Sequence, residues 1–478
     1  MIPPAPGAHV HLIGICGTGM AALAGLLQEA GFRVTGSDAD AYPPIAPMLA
    51  EMGIPVLEGY NASHLDPPPA LVVIGNALSR GNEEVETVLN NKLAYASMPE
   101  TLREMFLRER ETIVVAGTHG KTTVTAILSW IFHSAGEAAG ASPGFLIGGL
   151  PLNFTRGFSR GSGPHFILEG DEYDTAFFDK GPKFLHYRPD AVLLTSVEFD
   201  HADIYRDLEA VQTAFGRLLN LVPQKGLIVA RAESETVAEC LASAHCPVET
   251  YGFKAGEWQA SEIRFQEETT EFAVRYRRKP LGRLSTKLCG EINVLNLLAA
   301  AAMAWRYDIS WEKISAAAET FRGVRRRMEL LGEENGVAVI DDFAHHPTAI
   351  RETLRAARGR YPGRRLWALV EPRSNTLRRN VFEQQLAEAL AGADRVVLAE
   401  VYRKEKLPEQ ERLEPERIAE ALRRRKIQAS AGGSPGEIAE SILPELQPGD
   451  VVLVMSNGAF GDIHRKLLQG LAMKTLAT

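Results

Sequence analysis

The residues from Thr112 to Leu128, TIVVAGTHGKTTVTAIL, have the types and spacing needed to bind a nucleoside triphosphate. A short apolar run predicts a buried strand. It leads into the loop Gly117-Thr118-His119-Gly120, which is followed by Lys121-Thr122-Thr123 and a helical pattern. Backbone N–H groups at a helix N-terminus approach phosphate oxygens closely only where bulky side chains are excluded. In such a loop Lys121 bridges the β- and γ-phosphates, and the Thr122 hydroxyl ligates Mg²⁺.

This loop departs from the general phosphate-loop consensus in one respect. Val115 stands where the first glycine is usual, so that only the shorter pattern GTxGKT is present. A glycine-rich turn that binds nothing is the alternative. Because strand, loop, lysine-threonine pair and helix all coincide, we interpret the stretch as a phosphate-binding loop.

Carboxylates and one histidine follow two other apolar runs, residues 166–168 and 191–195. Strand ends that carry carboxylates after a phosphate loop are where Mg²⁺ is expected, although an acidic turn would show the same pattern. Glu169 and His201 are therefore candidate metal-binding residues, together with Thr122. Zinc is disfavoured because no second histidine or cysteine lies near His201 in the sequence.

A second glycine-bearing loop lies near the N-terminus, between a predicted strand at residues 9–13 and a helix from Met20 to Ala30. The following strand ends at Asp38, where an acidic residue would meet a ribose hydroxyl, and the βαβ pattern predicts a pyrophosphate at the helix N-terminus. The spacing is GxxGxG, whereas dinucleotide-binding loops have GxGxxG. A nicotinamide-dependent oxidoreductase therefore stays open as an alternative, and so does a tight turn without a ligand.

The C-terminal part of the chain predicts a third, parallel α/β domain. Its apolar runs end in polar clusters, and in open α/β sheets ligands bind at the carboxyl ends of the strands; the runs are 336–340, 366–370, 395–399 and 451–455. Before this domain, an alanine-rich helix at 289–305 carries Asn293 and Asn296, which suit either nucleotide binding or helix capping. The glycine- and proline-rich stretch 141–154 is predicted to be a loop.

Length and composition limit the class of protein. A chain of 478 residues is expected to form two to four domains, and we place the boundaries at 1–109, 110–325 and 326–478. The formal net charge of -8 argues against a nucleic-acid partner. No stretch approaches the ~20 apolar residues of a membrane helix, and the N-terminus lacks the pattern of a secretory signal.

The cysteines indicate a reducing compartment. None of the four belongs to a CxxC pair, so neither a zinc knuckle nor a disulfide framework is indicated; they are Cys16, Cys240, Cys246 and Cys289. We therefore expect a cytoplasmic protein.

Several motifs resemble those of the Mur ligases, the ATP-dependent enzymes that add amino acids or peptides to a peptidoglycan precursor. The loop GTHGKTT and the later DDxxHHP are shared by this family, and the N-terminal loop resembles the element with which its muramate-binding branch holds UDP. The stretches FLIGGLPLNF, DEYDTAFFDK, HYRP and PRSNT resemble members of that branch that act in peptidoglycan recycling. The resemblance implies three α/β domains: a Rossmann-like UDP-binding domain, a P-loop ATPase-like domain and a Rossmann-like C-terminal domain.

The resemblance also implies the reaction. The partners would be ATP, UDP-N-acetylmuramate and the murein tripeptide L-Ala-γ-D-Glu-meso-diaminopimelate, with Mg²⁺ as cofactor and an acyl phosphate as intermediate. A member that adds free L-alanine is the nearest alternative. Neither a nucleic acid nor a membrane would take part, and the protein would be a monomer or a weak homodimer.

Roles for individual residues follow from the same resemblance. Lys121 would stabilise the transferred phosphoryl group, Thr122 and Glu169 would hold one Mg²⁺, and His201 would hold a second. The remaining assignments are, for ATP, Gly117, Thr118, His119, Gly120, Thr123, Asn293, Asn296, Arg326 and Asp342; for the UDP-sugar, Gly14, Cys16, Gly17, Thr18, Gly19, Met20 and Asp38; and for the acceptor peptide, His346, Arg373 and Asn375. No lysine occurs between His201 and Lys225, so the carbamylated lysine of many Mur ligases is not expected.

Overall fold

A computed structural model describes residues 2–40, 45–266 and 268–477. These residues form three main sheets, of five, ten and six strands, that follow one another along the chain. Helices connect the parallel strands of each sheet. The predicted fold class, α/β with three domains, is confirmed. The exact boundaries stay a prediction.

The N-terminal sheet is parallel throughout, in the order β3-β2-β1-β4-β5. Its strands are β1 (His9–Ile13), β2 (Arg33–Asp38), β3 (Val56–Glu58), β4 (Leu71–Ile74) and β5 (Tyr95–Ser97). Its helices are α1 (Thr18–Glu29), α2 (Ile45–Glu51), α3 (Glu83–Asn90) and α4 (Met98–Leu102). The strand order reverses between β1 and β4, which is where α/β sheets of this kind form a ligand crevice.

The central sheet has the order β17-β16-β15-β14-β13-β12-β6-β9-β7-β8, and the section from β7 to β15 is parallel. Its strands are β6 (Glu111–Ala116), β7 (Gly144–Leu146), β8 (Phe158–Ser159), β9 (His165–Gly170), β12 (Ala191–Leu194), β13 (Leu227–Arg231), β14 (Val248–Gly252), β15 (Trp258–Phe265), β16 (Thr270–Tyr276) and β17 (Lys279–Thr286); β10 (Asp174–Ala176) and β11 (Asp179–Pro182) form a separate hairpin. Its helices are α5 (Lys121–Gly136), α6 (Leu208–Asn220), α7 (Glu235–Leu241), α8 (Glu291–Arg306) and α9 (Trp311–Thr320).

The C-terminal sheet has the order β18-β19-β23-β20-β21-β22 and is parallel except for β18. Its strands are β18 (Glu329–Glu334), β19 (Val337–Asp342), β20 (Leu366–Val370), β21 (Arg395–Leu398), β22 (Gln428–Ala431) and β23 (Val451–Met455). Its helices are α10 (Pro347–Arg360), α11 (Glu383–Leu390), α12 (Pro415–Arg424), α13 (Pro435–Ile442) and α14 (Ile463–Ala477). Among the residues described, no helix combines the length and the apolar character that crossing a bilayer requires.

The prediction of a loop at 141–154 is wrong at residues 144–146, where β7 pairs with β9 inside the central sheet. Phe145 and Leu146 are buried, with 3% and 6% of their surfaces exposed. Gly144 has to be a glycine, because a Cβ atom there would lie 2.4 Å from the ring of Phe166. Glycine marks close packing between strands at this position, whereas the sequence pattern alone suggested a turn.

The two domain junctions differ in character. The apolar core of the N-terminal domain continues into one face of the central sheet, so that Leu23 and Leu26 of α1 share one cluster with Phe158 and Phe166. In the C-terminal domain, by contrast, the buried members of both apolar clusters all lie between residues 337 and 471. The first two domains are therefore held together by apolar burial. The third meets them mainly through polar groups, with an added ring contact between Phe199 and Phe382 at 6.2 Å between centroids.

The hairpin β10–β11 projects from the central domain onto the N-terminal one. Phe177 in its turn packs against the apolar cluster that contains Ile74 and Val85, and Phe178 meets Tyr95 edge to face at 5.1 Å between ring centroids. The base of the hairpin directly follows the acidic segment that begins after β9. A single short element thus connects the N-terminal domain to the carboxylates of the central one.

Candidate active site

The loop between β6 and α5 has the backbone of a phosphate-binding loop. Gly117 and Gly120 have φ angles of +130° and +81°. A Cβ atom would lie 2.2 Å from Oγ1 of Thr195 in the first case and 2.8 Å from Oδ1 of Asn296 in the second. Both glycines are therefore required by conformation and by space.

The strand next to β6 holds this loop in position. The backbone carbonyl of Ser196 accepts a hydrogen bond from Thr118 N (2.9 Å), and its hydroxyl accepts one from His119 N (3.0 Å). No side chain caps the N-terminus of α5. The N–H groups of its first turn are thus open to an anion, and the helix dipole favours negative charge there.

Lys121 lies at the start of α5 with 13% of its side chain exposed. Its ammonium group donates to the carbonyl of Gly117 (2.6 Å) and to both carboxylate oxygens of Glu172 (2.8 and 3.0 Å). Burial alone would lower the lysine pKa, but the charges of Glu172, Glu169 and Asp171 outweigh it and raise the pKa. Lys121 is therefore an ammonium ion aimed into the loop.

Glu172, which was not among the predicted site residues, links this lysine to His201. Its Oε1 lies 3.1 Å from Nε2 of the histidine, and only 2% of its side chain is exposed. Burial raises its pKa, but the charge of Lys121 and the hydrogen bond of His201 outweigh it and lower the pKa. The carboxylates of Asp171 and Asp174 stand close by in the sequence, and nothing in their spacing marks Glu172 as the inward-facing one.

Thr122 and Glu169 form a pair of oxygen donors beside the lysine. The Thr122 hydroxyl donates to Oε1 of Glu169 at 3.1 Å, Gly148 N donates to Oε2 at 2.9 Å, and Arg327 donates to the Thr122 hydroxyl at 3.2 Å. Burial raises the pKa of the Glu169 carboxyl. The pair thus offers a hydroxyl oxygen and carboxylate oxygens as ligands, and no sulfur or nitrogen. Oxygen ligands fit a hard divalent cation such as Mg²⁺.

One cleft of about 730 Å³ is lined by Lys121, Thr122, Glu169 and His201, together with residues of all three domains. From the N-terminal domain, Thr18 and Gly19 at the start of α1 line it. The other N-terminal candidates do not: Cys16 and Met20 are buried in the core with 3% and 6% exposure, and Asp38 accepts a hydrogen bond from Cys16 N at 2.8 Å. Gly14 and Gly17 shape the turn before α1, which has no side-chain cap.

A second cleft of about 500 Å³ meets the first at the phosphate loop and is lined by Thr123, Asn293, Asn296 and Asp342. The two asparagines are bonded to each other, Nδ2 of Asn296 donating to Oδ1 of Asn293 at 3.0 Å. Both carboxylate oxygens of Asp342 accept backbone N–H groups. This cleft extends from the phosphate loop to the first turn of α8.

Arg326 lines neither cleft. Its guanidinium donates to Asp341 (3.0 Å) and to the carbonyls of Ser456 and Gly458 (2.6 and 2.7 Å), all within the C-terminal domain. Its neighbour Arg327 lines both clefts and reaches Thr122. A left-handed backbone at Arg326, with φ of +60°, directs the two side chains to different surroundings.

His346 lies at the junction of the central and C-terminal domains. Its Nδ1 accepts Thr348 N at 3.3 Å and caps α10, and its Nε2 lies 3.2 Å from the carbonyl of Phe199. His119 and Glu198 are its neighbours, and one ligand atom of each of these three residues lies within 4.8 Å of the others. Because both ring nitrogens of His346 already have partners, we interpret the group as a domain contact and not as a metal site.

The other two acceptor candidates lie in the loop after β20, on the same side of the cleft. Asn375 donates to Asp203 at 2.8 Å, next to the segment that carries His201. Arg373 stacks on Tyr402, with 3.8 Å from Cζ to the ring centroid. The structure therefore brings Asn375 close to the histidine and leaves Arg373 on the outer wall of the cleft.

Comparisons with known proteins agree along the whole chain. Residues 9–110 match the Mur ligase family catalytic domain, 115–304 the Mur ligase middle domain and 326–458 the Mur ligase glutamate ligase domain. A relative from Escherichia coli (strain K12), named UDP-N-acetylmuramate–L-alanyl-γ-D-glutamyl-meso-2,6-diaminoheptandioate ligase, is 42% identical over 98% of this chain and 99% of its own. A relative from Clostridium tetani, named UDP-N-acetylmuramate–L-alanine ligase, is 32% identical over 95% and 96%. A solved structure of a murein peptide ligase from Psychrobacter arcticus 273-4 has a TM-score of 0.73 at 38% identity, covering 98% and 99% of the two chains.

Proposed function

The chain belongs to the Mur ligase family, and from that premise we propose that it joins L-alanyl-γ-D-glutamyl-meso-2,6-diaminoheptandioate to UDP-N-acetylmuramate, with conversion of ATP to ADP and phosphate. One observation carries the proposal. The cleft of about 730 Å³ brings the phosphate loop, the start of α1 and the loop after β20 together, so that three substrates can meet from three domains. The higher identity to the tripeptide-adding relative favours the peptide over free L-alanine as acceptor. Family membership leaves no support for an oxidoreductase.

The reaction has two steps. An oxygen of the lactyl carboxylate attacks the γ-phosphorus of ATP, ADP leaves, and an acyl phosphate forms. The α-amine of the peptide's alanine then attacks the acyl carbon, loses a proton, and displaces phosphate as the C–N bond forms. Both steps build negative charge on oxygen, so positioned positive groups supply most of the catalysis.

Lys121 is the cation nearest to the transferred phosphoryl group in this proposal. In the structure its ammonium is oriented by the Gly117 carbonyl and by Glu172, and the charges of Glu172, Glu169 and Asp171 raise its pKa and keep it protonated. The N–H groups at the start of α5 bind the same phosphates from the other side. Glu172 is therefore a positioning residue for the lysine.

Thr122 and Glu169 fit Mg²⁺, as argued from their oxygen donors and burial, and we assign that ion to them. Bound there, Mg²⁺ would neutralise charge on the phosphates and on the attacking carboxylate. For a second Mg²⁺ we propose His201, as the resemblance implies; its Nε2 lies 3.1 Å from Oε1 of Glu172, and both oxygens of Glu172 also accept from Lys121. The absence of a lysine between His201 and Lys225 leaves no carbamate to assist the histidine.

The other roles are proposed from position. Asn293 and Asn296 line the second cleft from α8, where we propose that they bind the adenine, and Asp342 lines it from the C-terminal domain, where we propose that it binds the ribose. Arg327 takes the ATP-binding role that the resemblance implied for Arg326, because Arg327 alone of the two reaches the phosphate loop. Since the C-terminal domain meets the others through polar groups, we expect it to close over the substrates and exclude water. A cytoplasmic monomer or weak homodimer remains our expectation.

The test is ADP release by the purified protein with Mg²⁺, ATP and UDP-N-acetylmuramate, supplied in turn with tripeptide, L-alanine or no acceptor. We expect turnover with tripeptide and a product whose mass is the sum of the two substrates less water. Preference for L-alanine would assign the protein to the neighbouring activity. No ADP release with any acceptor would refute the ligase proposal.

A further inference from the structure

The outer wall of the larger of these two clefts carries three cations for which the described residues supply no ion-pair partner. Arg378, Arg403 and Lys406 all line the cleft, and none has a carboxylate oxygen within 4.0 Å among the residues that the structure describes. Elsewhere in the cleft Lys183 is paired with Asp171 at 2.6 Å, and Arg327 donates to the Thr122 hydroxyl at 3.2 Å. A cluster of unpaired positive charge in a cleft attracts anions.

Two loops at neighbouring strand ends carry these three side chains. Arg378 belongs to the loop after β20, and Arg403 and Lys406 to the loop after β21, and these two strands are parallel neighbours in the sheet. Tyr402 N donates to the carbonyl of Pro372 at 3.0 Å and so ties the loops together. The two loops thus form one wall at the carboxyl edge of the sheet, and this wall carries the three cations.

Contacts within this wall orient the guanidinium groups. Arg378 donates to Oδ1 of Asn375 at 2.6 Å, while its Nε is buried without a hydrogen-bond partner. Two guanidinium groups contact the ring of Tyr402, with Cζ of Arg373 at 3.8 Å and Cζ of Arg403 at 5.2 Å from its centroid. Stacking on an aromatic ring leaves the N–H edges of an arginine free for a planar anion such as a carboxylate.

The charge of the acceptor matches this wall. The proposed tripeptide carries three carboxylates that do not react, one on the glutamyl residue and two on the diaminoheptandioate, whereas free L-alanine carries only its own. Its reacting amine must lie near the phosphate loop, so the remainder of the peptide extends along the C-terminal wall of the cleft. Arginine binds carboxylates through two parallel hydrogen bonds, which gives orientation as well as affinity.

We propose that Arg378, Arg403 and Lys406 bind the carboxylates of the glutamyl and diaminoheptandioate residues and thereby select the peptide over free alanine. This inference rests on the proposed function and adds to it the residues that read the acceptor. Asn375 contributes by orienting Arg378 and does not need to touch the peptide.

The test compares the wild type with the double variant R403Q/K406Q. Both side chains are exposed, so their replacement leaves the core intact. The matched control is K404Q on the same turn; this lysine bonds to Glu400 at 3.3 Å and does not line the cleft. We measure kcat/KM for the tripeptide and for the dipeptide L-Ala-D-Gln, which keeps the glutamyl α-carboxylate, carries a neutral amide at the γ position and lacks both diaminoheptandioate carboxylates. We also measure KM for ATP and for UDP-N-acetylmuramate.

Losing charged hydrogen bonds should lower kcat/KM for the tripeptide by about tenfold or more, mainly through KM. We expect a much smaller loss for the dipeptide, unchanged KM values for both nucleotides, and wild-type behaviour in the control. A double variant that keeps the wild-type preference for tripeptide over dipeptide would overturn the inference. If instead the wild type uses L-alanine and ignores both peptides, the proposed function has failed and this inference fails with it.

Discussion

The substitution Gly148→Ala should separate catalysis from stability at the predicted metal site. The added Cβ atom would lie 2.6 Å from Oε2 of Glu169 and 3.0 Å from its Cδ. Because ordinary carbon–oxygen contacts are roughly 0.6–0.8 Å longer, the carboxylate must retreat by about that distance. It lies at the end of a side chain and can move, so we expect little change in melting temperature.

The substitution should instead impair activity at the metal site. Retreat of the carboxylate breaks the hydrogen bond from Gly148 N, now 2.9 Å long, and displaces one of the two proposed Mg²⁺ ligands. A hydrogen bond to a charged group contributes about 1.5–3 kcal/mol, which corresponds to a fall in kcat/KM of about tenfold to 150-fold. Mg²⁺ tolerates little departure from octahedral geometry, so the concentration needed for half-maximal activity should rise as well.

The assay is ADP release as a function of Mg²⁺ concentration, with melting curves recorded on the same samples. Gly359→Ala in α10 is the matched control, because a Cβ atom there meets nothing within 4 Å. It should keep full activity and melt slightly higher, as expected for glycine replaced by alanine inside a helix. If Gly148→Ala shows the Mg²⁺ dependence and kcat/KM of the wild type, Glu169 does not hold the metal in the arrangement described here.

Three further predictions follow from other contacts. Lys121→Ala should lower turnover by about 10²-fold or more while UDP-N-acetylmuramate still raises the melting temperature; undiminished ADP release would remove Lys121 from the mechanism. Burial and the charge of His119 lower the pKa of His346 to about 4 from 6.5, so that the unfolded chain binds the proton more tightly and stability is lost as the pH falls below 6.5. The free energy of unfolding should fall by about 2 kcal/mol between pH 7.5 and pH 5, as measured by denaturant unfolding. His346→Asn keeps a helix cap and cannot titrate, so this loss should disappear in the variant. An equal loss in the variant would contradict the assignment. Phe177→Ala should lower the melting temperature and raise KM for UDP-N-acetylmuramate but not for ATP. Phe178 is more exposed, so Phe178→Ala should have smaller effects. Equal effects on the KM values of both nucleotides would argue against a local role of the hairpin.

The sequence predicts the buried parallel strands well because burial on both faces leaves a continuous apolar run. The runs at 366–370 and 451–455 coincide with β20 and β23 to the residue. It fails at β7, where glycine serves close packing and the run is only three residues long. Short strands held by their neighbours leave no periodic signal of their own.

At the site, the sequence identifies groups that act through the backbone and cannot decide where a side chain points. The loop from Gly117 to Gly120 is recognisable because its conformation requires particular residues. Arg326 and Arg327 are chemically identical neighbours, and their sequence does not show that Arg327 lines the clefts while Arg326 turns to Asp341. The roles assigned to individual side chains stay predictions until the variants are measured.

The continuous apolar core of the first two domains has a consequence for protein engineering. In a chimera that exchanges only residues 1–109 with a relative, the relative's residues would pack against Phe158, Phe166 and the hairpin that carries Phe177. Because those residues differ in size, the apolar interface would contain cavities or steric clashes. The exchangeable unit on that side should therefore include the hairpin and β8. The C-terminal domain, which is attached through polar contacts, should be transferable from residue 326 with far fewer compensating changes.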